Sequence, residues 1–235
     1  KSFRDSDGIF GLYGKWIEFF KAAVRARLNI IISGGTGTGK TTLLNLLLQE
    51  LSPEERIITI EDTLELNFNH KNLVSLETFQ TGLFSLSVRE LVKNTLRMRP
   101  DRIVMGESRG EEFFDLLQAM NTGHAGSMST MHASSALECL QRMETLFLLA
   151  GIDIPLNAIR RQISGGIDLI IQINREKSGK RIISEVLELT GMEGDQVLTS
   201  QLATFDDGGL KSKGVTPKFI DRLVDDGGLP RDFFA

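Results

Sequence analysis

Apolar and polar positions along the first two thirds of the chain alternate between two periods. Leu12, Trp16, Phe19, Phe20, Ala23 and Val24 recur at three- and four-residue steps, which predicts an amphipathic helix from Leu12 to Arg27. Asn29 then leads into Ile30-Ile31-Ile32, a continuous apolar run suited to a parallel strand buried on both faces. Leu43 to Leu51 reads as a helix stopped by Ser52-Pro53. Ile57 to Ile60 reads as a second buried strand, and Leu73 to Phe79 as a third. Ser87 with Glu90 three residues on forms a capping box at the head of a helix that reaches Leu96. Ile103-Val104-Met105 is a further strand, Glu111 to Met120 a helix, Ser127 to Met131 a strand, and Ser134 to Leu149 a periodic helix. Pro155 opens one more helix, to Ile163. Strands alternating with helices imply a mostly parallel sheet with helices on both faces.

After Ile163 the pattern changes. Asp168–Asn174 and Arg181–Leu189, separated by Glu176-Lys177-Ser178-Gly179, read as a hairpin. Gly191 to Phe205 reads as further strand and turn, Asp206-Asp207-Gly208-Gly209 as a flexible joint, and Thr216 to Val224 as a short terminal helix. Phe219, Ile220 and Leu223 are placed either to pack on the core or to form a partner surface. The expected organisation is a leader over 1–28, an α/β core over 29–190 and a hairpin-containing extension over 191–235.

Composition narrows the function classes. With 235 residues and 41% hydrophobic content, the chain can bury one large core, with or without a small appendage. A net charge of −4 gives no global basic field, so direct nucleic-acid binding is not expected. A single cysteine, Cys139, excludes an internal disulfide and a cysteine-based zinc site, and its apolar setting suits a buried role. No apolar run approaches the roughly 20 residues of a transmembrane helix, and no signal peptide is visible. These features lead to the expectation of a reduced cytoplasmic protein. The chain starts at Lys1 rather than at methionine, so an N-terminal domain of a longer protein is expected to be absent from it.

The strongest chemical signal is Gly34-Gly35-Thr36-Gly37-Thr38-Gly39-Lys40-Thr41, followed by Thr42, between an apolar strand and an apolar helix. Glycines let the backbone curl so that its N–H groups cradle phosphate oxygens, above the positive end of the helix dipole. Lys40 supplies a mobile charge for the β- and γ-phosphates, and the Thr41 hydroxyl is placed to ligate Mg²⁺. The pattern predicts binding of a nucleoside triphosphate.

Hydrolysis needs acids at the carboxyl ends of neighbouring strands. Glu61-Asp62 follows one strand and Glu107 another, and either glutamate suits the base on residue type alone. Glu65 reads more as a solvated strand-end acid. Gly106 stands where an ordinary P-loop enzyme has its metal-binding aspartate, which hands metal-side work to Glu107 or, through water, to Glu61. His124 falls in a Gly-rich turn and His132 at a strand end, a spacing unsuited to a shared metal and better suited to reaching phosphate. Arg97, Arg99, Arg102 and Arg109 bracket the Glu107 strand and are candidates for neutralising transition-state charge.

Taken in order, Gly34–Thr42, Thr59-Ile60-Glu61-Asp62, the run from Arg99 to Glu107 and the two-histidine segment resemble the Walker A, Asp box, atypical Walker B and His box of the secretion and pilus ATPases. The stretches Leu96–Arg102 and Gln118–His124 are most similar to the CpaF/TadA branch that assembles tight-adherence pili. The resemblance covers roughly residues 12–195. It implies a RecA-like core acting as an ATPase with Mg²⁺ in a homo-hexameric ring, closed over its nucleotide by an N-terminal domain. It further implies an inner-membrane pilus or secretion platform as partner, hence a cytoplasmic protein peripheral to that membrane. By the family pattern Glu61 activates water, Glu107 lies near Mg²⁺, His132 contacts the γ-phosphate and His124 supports the same loop. Arg97 and Arg99 are the remaining finger candidates, because the family takes such arginines partly from the N-terminal domain. The same pattern carries glycine before the Walker B glutamate. A type IV secretion ATPase moving protein or DNA, and a nucleotide-binding scaffold without turnover, are the alternatives.

Overall fold

The computed structural model describes residues 9–12, 14–151 and 153–234. Residues 1–8 of the expected leader, and Tyr13 within the expected opening helix, lie outside the described residues. The first helix is α1 (Lys15–Arg25), which buries Trp16, Phe19, Phe20, Ala22, Ala23 and Val24. It precedes β1 (Ile30–Gly34), and α2 (Lys40–Leu48) follows the Gly-rich loop. Next come β2 (Ile57–Glu61), β3 (Leu73–Glu77), and a small hairpin of β4 (Phe79–Gln80) and β5 (Ser85–Leu86). Helix α3 (Val88–Thr95) starts at Ser87 with its capping box formed: the Ser87 side chain accepts from Glu90 N–H, and the Glu90 carboxylate accepts from Ser87 N–H at 2.8 Å. Strand β6 (Arg102–Met105), helix α4 (Glu112–Asn121), strand β7 (Met128–Met131), and helices α5 (Ala136–Leu149) and α6 (Leu156–Gly166) complete the alternating part.

The strands β8 (Leu169–Arg175), β9 (Arg181–Glu193), β10 (Gln196–Asp206) and β11 (Gly209–Ser212) then join the same sheet, whose order is β11-β10-β9-β8-β1-β7-β6-β2-β3. From β8 to β3 the strands are parallel, and β9, β10 and β11 add antiparallel to the β8 edge. This is the mostly parallel α/β sheet expected from the pattern and the RecA-like core that the resemblance implies. In β1, Ile30 and Ile32 enter the core shared with α1 and α2, while Ile31 enters the one shared with α3, α4, α5 and α6. That division is the period of two expressed on a sheet covered on both faces. Because the central strands are parallel and nearly in register, Gly34, Glu61, Met105 and Met131 end along one rim.

The C-terminal third differs from three expectations. β9 runs through residues 190 and 191 with a bulge at Thr190, which the β10 register skips between Leu198 and Thr199, and β10 and β11 continue the same sheet past the point where the extension was expected to begin. Asp206–Gly209 is a tight hairpin turn rather than a joint: Asp206 pairs with Gly209, while Asp207 (φ 44°) and Gly208 (φ 79°) take the left-handed conformations such a turn requires. The terminal helix α7 (Ile220–Asp225) is shorter than predicted, and Phe219 and Leu223 are buried in the core. Phe233 and Phe234 close onto α1, with ring centroids 5.5 Å from Trp16 and 5.8 Å from Phe19 respectively. Among the described residues no helix is long and apolar enough to cross a membrane.

Candidate functional site

The rim formed by the carboxyl ends of the parallel strands carries a cleft of about 300 Å³. Its floor is the loop between β1 and α2. Gly37 (φ 70°) and Gly39 (φ 99°) hold left-handed backbone there, which lets the loop double back before α2 starts at Lys40. Lys40 Nζ donates to the carbonyls of Gly34 and Gly35, each at 3.1 Å, and lies 3.4 Å from both ring nitrogens of His132. Burial holds the Lys40 ammonium below the ordinary lysine value, with Glu107 acting in the opposite direction. Thr36, Gly37, Lys40 and Thr41 face the cleft. Gly34, Gly35, Thr38 and Gly39 shape the loop beneath it, and Thr42 is exposed on the first turn of α2, outside the cleft lining.

Glu61 ends β2 with only 4% of its surface exposed. Its Oε1 accepts the N–H groups of Glu65 and Leu66, at 3.0 and 2.9 Å, because the chain after Asp62 turns back over it. Its Oε2 is buried without a hydrogen-bond partner among the described residues. Burial raises the Glu61 pKa above the ordinary carboxylate value despite the two backbone donors, which act to lower it. The arrangement anchors one oxygen and leaves the other at the cleft, as a proton acceptor requires.

Glu107 follows β6 through Gly106. One carboxylate oxygen lies 2.5 Å from His132 Nε2, and the other accepts from Arg109 Nε at 2.7 Å and also pairs with Arg109 Nη2. Burial, then the Lys40 charge, hold the His132 pKa below the ordinary histidine value, so the ring is neutral at pH 7. Thr130 of β7 donates to the Gly106 carbonyl at 2.7 Å and fixes the turn that presents Glu107.

The loop, Glu61, Glu107 and His132 are therefore brought together, while four other candidates are not. His124 precedes β7, whose start pairs with the start of β1, so within this chain it sits roughly 15 Å or more along the strands from the cleft. It cannot support the Lys40 loop from there. Arg97 and Arg99 are exposed in the turn before β6, at the same far end of the sheet. Arg102 is 2% exposed and bound to both Glu55 oxygens at 3.0 Å, with Nη1 donating to Val24 O at 2.7 Å.

Two side chains gain weight from the structure. Arg109 lines the cleft and bonds Glu107; being two residues beyond Glu107 was its only signal in the sequence. Glu65 accepts from Thr41 Oγ1 at 3.3 Å, although its spacing of four from Glu61 gave no reason to expect it at the loop.

A parallel sheet with a Gly-rich loop and lysine after its central strand, and acids at the ends of neighbouring strands, defines a RecA-like P-loop core. A family model described as Type II/IV secretion system protein matches residues 15–199, and the chain belongs to that family. It is 37% identical over 190 residues to the conjugal transfer protein TrbB of Rhizobium radiobacter, covering 80% of this chain and 56% of that protein. The type IV secretion system protein VirB11 of Bartonella quintana is 40% identical over 175 residues, covering 73% of this chain and 49% of its own length. The structure of the VirB11 ATPase from the Brucella suis type IV secretion system, in complex with sulphate, superposes with a TM-score of 0.68 at 34% identity, covering 74% of this chain and 52% of that one. The chain thus spans about half the length of the relatives it matches.

Proposed function

We propose that this chain binds ATP with Mg²⁺ across the Gly34–Thr42 loop and hydrolyses it, as the motor part of a ring-forming secretion ATPase. The observation that carries the reading is Glu61, with one oxygen fixed by two backbone N–H groups and the other buried at the cleft without a partner. In this reading Glu61 Oε2 takes a proton from water as the water oxygen bonds the γ-phosphorus and the bond to the leaving ADP oxygen breaks. Lys40 and the loop N–H groups hold the phosphate oxygens, and neutral His132 stands beside Lys40 to donate a hydrogen bond to the γ-phosphate.

The side chains suit a metal delivered with the nucleotide. Among the described residues no group of three His, Cys, Asp or Glu forms a self-sufficient metal site. Mg²⁺ bound through phosphates, water and one or two protein oxygens has no need of one. Thr41 Oγ1 would hold it directly and Glu107 directly or through water. When bound, it would neutralise charge developing on the phosphates. Steady-state phosphate release from Mg-ATP tests the reading through Lys40→Ala, because Lys40 makes no ion pair in the core that its loss would orphan. Normal turnover by this variant would sink the proposal.

In the full-length protein we place six such chains in a ring acting on an inner-membrane platform, on the cytoplasmic side. The motifs resemble the tight-adherence pilus branch, whereas the matched relatives carry conjugal transfer and type IV secretion names. Those names favour a type IV secretion client over a pilus. Arg97 and Arg99 would serve such a ring only in trans, since no nucleotide bound in their own chain's cleft is within their reach.

A further inference from the structure

The guanidinium of Arg109 sits where a divalent cation would compete with it. Glu107 has one oxygen engaged by Arg109, through Nε at 2.7 Å and Nη2, while the other lies 2.5 Å from His132 Nε2 without a hydrogen bond. The Arg109 backbone is held rigidly: its N–H and that of Gly110 donate to one oxygen of Glu112, at 2.6 and 2.7 Å, at the start of α4. Its side chain, by contrast, is 62% exposed, while that of Glu107 is 17% exposed. A second carboxylate waits within reach: Asp62 Oδ2 is 3.8 Å from Arg109 Nη1, and the Asp62 side chain is 55% exposed. Arg109 therefore has a fixed backbone, an exposed head, and two carboxylates in reach on the cleft wall, Glu107 bonded and Asp62 at the edge of ion-pair distance.

We propose that Arg109 is an exchangeable counter-ion of Glu107, displaced toward Asp62 when a divalent cation takes Glu107, and that it thereby sets the cation affinity of the site. The inference rests on the nucleotide-site reading above and adds a regulator to it. A cation on the free Glu107 oxygen draws on the same carboxylate charge and repels the guanidinium, so each positive partner weakens the hold of the other. The other neighbours cannot play this part. Lys40 is tied to the Gly34 and Gly35 carbonyls, and the His132 ring makes no hydrogen bond to Glu107 that a cation would have to break. Arg109 is a positioning residue in this account, acting through Glu107.

The test is Mn²⁺ affinity, followed by electron paramagnetic resonance on the whole chain with a saturating non-hydrolysable ATP analogue. Arg109→Gln is expected to tighten Mn²⁺ binding by roughly five- to tenfold, the loss of one charge-assisted competitor. Arg109→Lys, which keeps the charge, is expected to return most of the way to the unaltered value. Asp62→Asn, which removes the alternative partner, is expected to weaken Mn²⁺ binding a few-fold, and it carries the test alone if Arg109→Gln does not fold. Unchanged or weaker binding in a folded Arg109→Gln, or unchanged binding in Asp62→Asn, overturns the proposal while the nucleotide-site reading stands. Failure of the unaltered chain to bind Mn²⁺ and nucleotide together overturns both.

Discussion

Gly106 leaves little room for a side chain because Glu61 stands beside it: a Cβ there would lie 3.0 Å from Glu61 Cγ and 3.3 Å from Glu61 Oε1. The two residues end neighbouring parallel strands, β6 and β2, and the Gly106 N–H donates to the Ile60 carbonyl at 2.9 Å. An aspartate at this position, as in an ordinary Walker B segment, would push Glu61 off its two backbone donors. The glycine that looks like a defect in the motif is thus the condition for placing Glu61.

Gly106→Ala follows directly from that contact. Its backbone suits alanine, so the fold should survive, but Glu61 must shift by a few tenths of an ångström. Turnover should fall by roughly tenfold or more with nucleotide binding nearly unchanged, since misplacing a reacting group affects rate more than binding. Parallel measurements of kcat and nucleotide Kd check this; an unaltered kcat would mean the position of Glu61 is unimportant.

A pH profile tests the same residue independently. Burial raises the Glu61 pKa, and a base must be ionised, so kcat should fall with decreasing pH at values above the ordinary carboxylate range. An acid limb at or below that range contradicts the assignment. Stability carries the opposite sign. With its folded pKa raised, the folded chain binds more protons than the unfolded chain, so ionising Glu61 costs stability as pH rises between the unfolded and folded values. Glu61→Gln should therefore raise the melting temperature at neutral pH, and the gain should vanish below about pH 4, where the unfolded carboxyl is also protonated.

The far end of the sheet should respond in stability rather than chemistry. Arg102→Ala strips Glu55 of its buried partner while Arg27 stays bonded to it at 2.9 Å, and should cost roughly 1–3 kcal/mol, whereas Arg97→Ala on the exposed turn should stay within about 0.5 kcal/mol. Denaturant unfolding of both variants distinguishes them.

The C-terminal aromatic pair gives a separate test of packing. Phe233 stacks on Phe19 at 5.9 Å between ring centroids and meets Trp16 edge-on. Phe233→Ala should cost about 3 kcal/mol and lower the melting temperature by roughly 6–12 °C. A shift under about 2 °C would mean that residues after α7 contribute little to the fold.

Much of this architecture could be read from the chain, for physical reasons visible at particular residues. Ile30-Ile31-Ile32 announces a strand covered on both faces, and Ser87 with Glu90 announces a helix start, because each signal is local. The Gly34–Thr41 loop is legible because its glycines and lysine act within one turn of backbone. What stayed hidden depends on register or on distant partners. The predicted strand Ser127–Met131 already separates His124 from His132, but only the register of β7 on β1 decides which of them meets the loop. Nothing near Arg102 reveals Glu55, 47 residues away, as its partner. Asp206–Gly209 has the composition of a joint, and only the pairing of β10 with β11 makes it a turn. Glu65 was hidden for the same reason, since its partner Thr41 comes from another segment of the chain.

The most direct test of the central claim is steady-state phosphate release from Mg-ATP by this chain and by Glu61→Gln, with the mass of each followed by light scattering. The account predicts turnover by the unaltered chain, strongest where it assembles, and its loss in Glu61→Gln with ATP binding retained. Undiminished turnover in Glu61→Gln would contradict Glu61 as the water-activating residue, and ATP binding without turnover in any assembled form would leave a nucleotide-dependent scaffold in place of a motor.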